Sequence, residues 1–186
     1  MENKSITLNQ FNIIGQKIDV DFNNLKENAQ LESLVLKNFI IDEMCINTIN
    51  SLKELKDLWF VGCKFVTDNT INHIESLRIE NCKNISPLLF NDKLKILFIS
   101  NCSIIDISGI KCEKLISFGL DNVEVINLHE IESFHKLEYL YLMNVNINER
   151  LDYNKITYLK KINFSGSSIS KEIIELLKEK NIEVIF

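Results

Sequence analysis

Hydrophobic residues recur along this chain at regular intervals, with polar residues between them. The segment 94–104, LKILFISNCSI, has apolar side chains at positions 1, 4, 6 and 11 and a cysteine at position 9. The same pattern fits segments that start near residues 8, 31, 55, 74, 94, 115, 137 and 159, at spacings of 19 to 24 residues. A repeat of this length predicts a solenoid in which each unit packs on its neighbours.

The pattern resembles that of the leucine-rich-repeat family, L-x-x-L-x-L-x-x-N/C-x-L, over nearly the whole chain. The resemblance implies an α/β fold: a right-handed leucine-rich-repeat solenoid, shaped as a curved horseshoe segment. Its parallel sheet would form the concave face, and short helices or loops would form the convex face. Position 8 of every repeat is Gly or Asn, the residues that best tolerate a left-handed backbone. We therefore expect every strand to end in the same tight bend.

Position 9, which turns inward after that bend, is cysteine in three consecutive repeats, at Cys63, Cys82 and Cys102. The family usually has Asn or Cys at this position. A buried cysteine behaves as a small hydrophobic residue with a weak donor, and a closed zinc site needs four ligands. We expect these thiols to be reduced and to serve core packing.

The two ends of the chain are interpreted as parts of the same single leucine-rich-repeat domain, residues 1–186. Residues 170–186 predict a capping helix that starts after Ser170 and a closing strand. At the other end, the frame from Leu8 fills four of its five positions and is the preferred interpretation. The alternative is a hairpin that turns at Gly15 and Gln16.

Composition limits the kind of partner. The net charge is −5 and the pI is about 5.3, which argues against a nucleic-acid interface and leaves room for a basic protein partner. No apolar run is long enough for a membrane span, and the first residues do not have the pattern of a signal peptide. The five cysteines form no paired framework, so we expect a cytoplasmic location.

No sequence motif indicates catalysis. The segment HEIESFH, which starts at His129, resembles a zinc-protease motif, but the residue four after His129 is Ser133. Phosphate-binding and dinucleotide-binding loops and nucleophile motifs are also missing from the sequence. We therefore predict no catalytic residues, no cofactor and no metal.

The best candidate site is the concave face, where positions 3, 5 and 7 of each strand point outward if positions 4 and 6 point inward. Aromatic, methionine and arginine side chains recur there, and such residues are enriched at binding hot spots. The predicted partner-binding residues are Trp59, Arg78, Phe98, Tyr139, Tyr141 and Met143, with the acidic residues Asp57, Glu80 and Asp121.

The sequence therefore predicts a non-catalytic module that binds a protein partner on its concave face and is a monomer when unbound. Several roles stay open. One is an inhibitor or immunity-type protein, a second is a host-directed bacterial effector, and a third is a structural or self-associating repeat protein.

Overall fold

The fold is dominated by one parallel sheet made of short strands from successive repeats. The computed structural model describes residues 5–9, 12–13, 16–17, 25, 30–86, 90–147 and 151–186. The described residues form the strands β1 (Ser5–Asn9), β2 (Asn12–Ile13), β3 (Gln16–Lys17), β4 (Ser33–Lys37), β5 (Ile40–Ile41), β6 (Asp57–Val61), β7 (Lys64–Phe65), β8 (Ser76–Glu80), β9 (Ile96–Ser100), β10 (Ile104–Asp106), β11 (Ser117–Asp121), β12 (Glu124–Ile126), β13 (Tyr139–Met143), β14 (Lys161–Asn163) and β15 (Glu183–Ile185).

Nine of these strands form the main sheet, in the order β1-β4-β6-β8-β9-β11-β13-β14-β15, and all its pairings are parallel. The repeat frames pair position for position, as in Leu77 with Leu97 and Leu120 with Leu142. Short parallel pairs, β5 with β7 and β10 with β12, follow the bends. The fold is a solenoid, as the sequence predicts.

The core lies behind the sheet and is continuous from repeat to repeat. Positions 1, 4 and 6 supply it, and Leu34, Leu97 and Leu140 are completely buried. Burial of apolar surface contributes roughly 25 cal/mol per Å², so this column is the main source of stability. No repeat closes its own core, and each one therefore depends on its neighbours.

The bend after each strand has the backbone that position 8 predicts. Asparagines at this position have φ between 51° and 62°, and Gly62 and Gly166 have φ of 64° and 73°. The position-8 N–H donates to the position-7 carbonyl of the next repeat, as in Asn101 to Asp121 at 2.9 Å. The bend thus continues the hydrogen-bond ladder of the sheet after the strand has ended.

The convex side carries two α-helices, α1 (Glu43–Ser51) and α2 (Lys171–Glu179), and two short 3-10 helices (Ile107–Gly109 and Leu128–Ser133) among the described residues. The predicted capping helix begins as expected, because the Ser170 hydroxyl accepts the N–H of Ile173 at 3.4 Å. The predicted closing strand is β15. None of the described helices has the length and apolar character needed to span a bilayer.

The frame predicted for the first repeat is wrong in register. Ile6 pairs with Leu34 and Leu8 with Leu36, so Leu8 occupies position 6 and not position 1. Downstream, β2 pairs with β3 antiparallel, as in the hairpin alternative, but Gln16 pairs with Ile13 and therefore belongs to the second strand and not to the turn. The apolar residues of this stretch alternate with a period of two, so several frames fit it equally well. Residues 11, 15 and 18, at positions 4, 8 and 11 of the predicted frame, lie outside the described residues.

Candidate functional site on the concave face

The concave surface is formed by the outward side chains of the main sheet. In β13, Tyr139, Tyr141 and Met143 are partly exposed, while Leu140 and Leu142 between them are completely buried. Successive side chains of a strand point to opposite faces, so this alternation places the aromatic residues on the concave side. In β13 the inward and outward positions are those predicted from the sequence. The frame is wrong at position 11 of the repeat that starts at residue 94, because Ile104 is 46% exposed and Ile105 is buried in its place.

Three of the predicted partner-binding residues lie side by side. Trp59 on β6 pairs in register with Arg78 on β8, and Arg78 pairs with Phe98 on β9. Trp59 and Phe98 are partly buried, whereas Arg78 is exposed. Neighbouring strands are about 4.8 Å apart, so residues that are 19 and 20 positions apart in sequence form one continuous surface.

These residues border an open cavity of about 450 Å³ on the concave face. We call it the large hollow, because a smaller hollow adjoins it. The predicted residues Glu80 and Tyr141 also line it, although Tyr141 lies two strands beyond Phe98. Ile96 lines the hollow as well and is 41% exposed. The sequence-based prediction did not include Ile96. An isoleucine at the outward-facing position 3 of a repeat is the signal that identifies it.

Gly119 explains why Tyr141 and Phe98 share this cavity. It lies on β11 at position 5 of its repeat, and it pairs in register with Phe98 on one side and Tyr141 on the other. The ring of Phe98 lies over Gly119 so closely that a methyl group at residue 119 would collide with it. A glycine inside a strand is a sequence signal for such a close approach. Gly119 is a second residue that the sequence-based prediction missed.

A smaller hollow of about 260 Å³ adjoins the large one. Asp57 lines it, and Trp59 and Arg78 line both hollows. These two side chains therefore form the wall between the hollows. One predicted acidic residue, Asp57, lies on the far side of that wall, and another, Glu80, lies on the near side.

The other predicted residues lie away from the large hollow. Asp121 accepts a hydrogen bond from the Asn144 side-chain amide at 2.7 Å. The Met143 sulfur accepts one from the Asn163 amide at 3.4 Å. Tyr139 pairs in register with Lys161, which forms a 2.9 Å ion pair with a glutamate on β15. The predicted surface is thus one strip, but only part of it forms the cavity.

A row of asparagines borders the concave face where the strands end. This asparagine rim consists of Asn81, Asn101, Asn122 and Asn144, all exposed. The Asn122 amide donates to the Asn101 side-chain oxygen at 2.9 Å, and the rim lines an open cavity of about 900 Å³. The sequence-based prediction used these residues only as bends. Their regular spacing also signals a polar ledge beside the candidate site.

No protein-family model matches the sequence. The chain is similar to an uncharacterized leucine-rich repeat-containing protein of Amsacta moorei entomopoxvirus, with 21% identity over 228 residues. The match covers 91% of this chain and 46% of the viral protein, so the chain spans about half the length of that relative.

Among solved structures, the chain is similar to an internalin of Listeria monocytogenes, with a TM-score of 0.57 and 14% identity. The match covers 89% of this chain and 64% of the internalin chain, which is slightly less than two thirds of its length. The parallel, in-register sheet and both similarities point to one fold. The chain has the fold of a leucine-rich-repeat solenoid.

At position 9 of the solenoid, thiol and hydroxyl side chains accept hydrogen bonds from backbone N–H groups inside the bends. The Cys63 N–H donates to the Cys82 sulfur at 3.3 Å. In the repeat that begins at residue 159, the Ser167 hydroxyl accepts the Val145 N–H at 2.8 Å and donates to the Leu142 carbonyl at 2.7 Å. Small polar side chains at this position therefore connect one repeat to the next.

The same thiols have little capacity for chemistry, since all five cysteines are free and buried. The hydrogen bond between Cys63 and Cys82 lowers the pKa of the Cys63 thiol and raises the pKa of the Cys82 thiol, and burial adds to the rise at Cys82. Burial also raises the pKa of the Cys102 thiol, and it raises the pKa of Cys112 to about 12. A buried, protonated thiol is a poor nucleophile and a poor metal ligand.

The histidine motif does not form a metal centre in the described part of the chain. His129 lies on a short convex 3-10 helix, with its Nε2 3.7 Å from a Glu130 oxygen. No three His, Cys, Asp or Glu side chains gather as metal ligands among the described residues. The concave face therefore stands out through its apolar and aromatic surface and not through reactive groups.

Proposed function

We propose that this solenoid is a non-catalytic module that binds a protein partner through its concave face. The observation that carries the proposal is the concave strip, a set of large outward-facing side chains on one sheet. The strip consists of Trp59, Arg78, Phe98, Tyr139, Tyr141 and Met143. Contiguous exposed apolar surface on a soluble domain usually marks an interaction site.

The sheet presents these side chains at low entropic cost. Each aromatic ring supplies a large contact area with only two rotatable bonds, so little side-chain freedom is lost on binding. The in-register ladder fixes the backbone beneath Trp59, Arg78 and Phe98. A preorganised surface of this kind converts more of its buried area into affinity than a flexible loop does.

Charge supports a partner with a basic surface. The chain has a net charge of −5, and Asp57, Glu80 and Asp121 all lie on the concave side. Complementary potentials raise the association rate and select the partner more than they raise affinity. Asp121→Asn is a clean test, because the new side-chain oxygen can still accept the Asn144 hydrogen bond. Binding should become slower and less salt-dependent.

The narrower roles differ in what happens to the partner. An inhibitor or immunity-type protein would abolish an activity of the partner, whereas a host-directed effector would redirect it. A structural or self-associating protein would bind a second copy of itself. Activity assays of the captured partner, together with the mass of the pure chain in solution, distinguish these roles.

The test is affinity capture from cells that express the chain, followed by calorimetry with the identified protein. Tyr141→Ala and Trp59→Ala should each weaken binding by about 30-fold or more if they are hot spots. Tyr158→Ala is the matched control, since Tyr158 is 62% exposed and lies between β13 and β14, outside both strands. Unchanged binding in both concave variants, with loss of binding in Tyr158→Ala, would place the interface on the outer loops.

A further inference from the structure

The rim of the large hollow carries one charge of each sign, while its walls are mostly apolar. Arg78 and Glu80 both line the cavity. Three aromatic side chains, Trp59, Phe98 and Tyr141, and the exposed Ile96 also line it, and the uncharged polar residues of the lining are Ser100 and Ser117. An incoming carboxylate would meet Glu80, and an incoming ammonium group would meet Arg78. A neutral side chain therefore suits this cavity better than a charged one of either sign.

Arg78 differs from four lysines that have an acidic neighbour on an adjacent repeat. Lys95, Lys155, Lys160 and Lys161 each form an ion pair of 2.7–2.9 Å with a glutamate. Among the described residues Arg78 has no hydrogen bond or ion pair. Its two partners in register, Trp59 and Phe98, are aromatic and offer it no carboxylate. The guanidinium group is thus available at the rim.

An unpaired guanidinium group beside an aromatic-lined cavity favours one kind of neutral group, an aromatic ring. The face of an aromatic ring is electron-rich and attracts a cation within about 6 Å. Aromatic walls also favour a ring, because edge-to-face and offset contacts add to simple burial. The volume of about 450 Å³ lies within the range of about 300–1,000 Å³ that is usual for small-ligand pockets, so one side chain has room to enter.

We propose that the large hollow is an anchor site for a single aromatic side chain of the protein partner, with Arg78 against the face of the ring. The proposal rests on the proposed function, since it specifies what the concave strip recognises. Basic groups elsewhere on the partner would still respond to the acidic residues of the concave side. The anchor supplies the apolar contact in the middle of the strip.

Gly119 is the positioning residue of this site. Because it has no side chain, the Phe98 ring lies across β11 and the cavity is bordered by Tyr141. An added methyl group at residue 119 would push the ring of Phe98 away, while the strand backbone could stay in place. Gly119→Ala should therefore reshape the hollow without contacting the partner itself.

The experiment uses a phage-displayed library of random peptides, selected against the full-length chain. Selected sequences should share one Phe, Tyr or Trp. Replacement of that residue by Ala should lower the affinity of the synthetic peptide by about 30-fold or more. Calorimetry measures each affinity, and Tyr158→Ala should bind normally. Thermal melts check that every variant is folded.

A double-mutant cycle then tests the role of Gly119. Gly119→Ala should weaken the peptide about 10-fold in the native background and have little further effect in Phe98→Ala, where the displaced ring is gone. Equal effects of Gly119→Ala in both backgrounds would contradict the positioning role. Arg78→Gln should also weaken the aromatic peptide, because the cation is lost.

The outcomes separate this proposal from the broader one. Peptides that need Tyr141 and Trp59 but share a charged residue and no aromatic would overturn the anchor and leave concave binding intact. Peptides that bind Trp59→Ala and Tyr141→Ala normally would overturn both proposals. A selection that returns no peptide dependent on the concave face would do the same.

Discussion

Truncation of Leu120 tests the register of the sheet most directly. Leu120 lies on β11 at position 6 of its repeat, and it pairs with Ile99 on one side and Leu142 on the other. All three side chains are completely buried. Replacing a buried leucine by alanine usually costs about 2–5 kcal/mol, depending on how far the surroundings collapse. Here the ladder holds the flanking strands at a fixed spacing. We therefore expect Leu120→Ala to lower the free energy of unfolding by about 3–5 kcal/mol.

Urea titration measures this loss, with far-UV circular dichroism for the whole sheet and Trp59 fluorescence for the region of β6. With a slope of about 2–3 kcal/mol per molar urea, the midpoint should fall by about 1–2.5 M. Ser117→Ala is the matched control, since it lies on the same strand but faces outward and is only partly buried. Its cost should stay within about 0.5 kcal/mol. Similar midpoints for Leu120→Ala and Ser117→Ala would refute the inward and outward assignment.

Three further predictions follow from local features. The buried thiols should resist an aromatic disulfide reagent until urea unfolds the chain, and labelling of Cys63, Cys82 and Cys102 in the native state would contradict their packing role. Burial raises the pKa of Cys45 to about 11 and of Cys112 to about 12, so that at pH 10 only the unfolded chain loses these thiol protons. The free energy of unfolding should therefore fall as pH rises above about 9, by about 1–3 kcal/mol at pH 10. The urea midpoint of a variant with alanine at both positions should depend less on pH. Gly166→Ala should cost about 1–2 kcal/mol in the same assay, since φ is 73° and the methyl group would collide with the Asn144 amide, and a neutral result would argue against the left-handed bend.

The repeats from residue 31 onward could be placed from sequence because many copies support one frame. A shift of a single residue would turn Leu34, Leu97 and Leu140 to the concave side together. The burial cost of that error is repeated in every unit, so the register is strongly determined. The recurring Gly or Asn at position 8 adds a second, independent marker. In the structure these asparagines adopt the left-handed backbone that the pattern requires.

The first repeat could not be placed in this way, because it lacks that support. Ile6 and Leu8 alternate with polar residues just as positions 4 and 6 do, while the predicted frame gave Leu8 position 1. Alternation alone does not tell position 1 from position 6. The pairing with β4 decides between the two positions. Five consecutive residues of β1 pair with β4, and Leu8 pairs with Leu36. Local pattern and tertiary pairing disagree here, and the pairing determines the strand.

For the candidate site, the sequence predicts which residues lie next to each other on the sheet but not the conformations of their side chains. In a parallel, in-register solenoid the neighbour of any residue is the same position one repeat further on, so Trp59, Arg78 and Phe98 could be grouped from sequence. The cavity depends instead on a side chain that crosses to the next strand, as Phe98 does over Gly119. It also depends on which charges stay unpaired, and that depends on the conformation of each side chain. Sequence therefore predicts which residues share the concave surface, whereas the shape and charge that select a partner come from contacts between repeats.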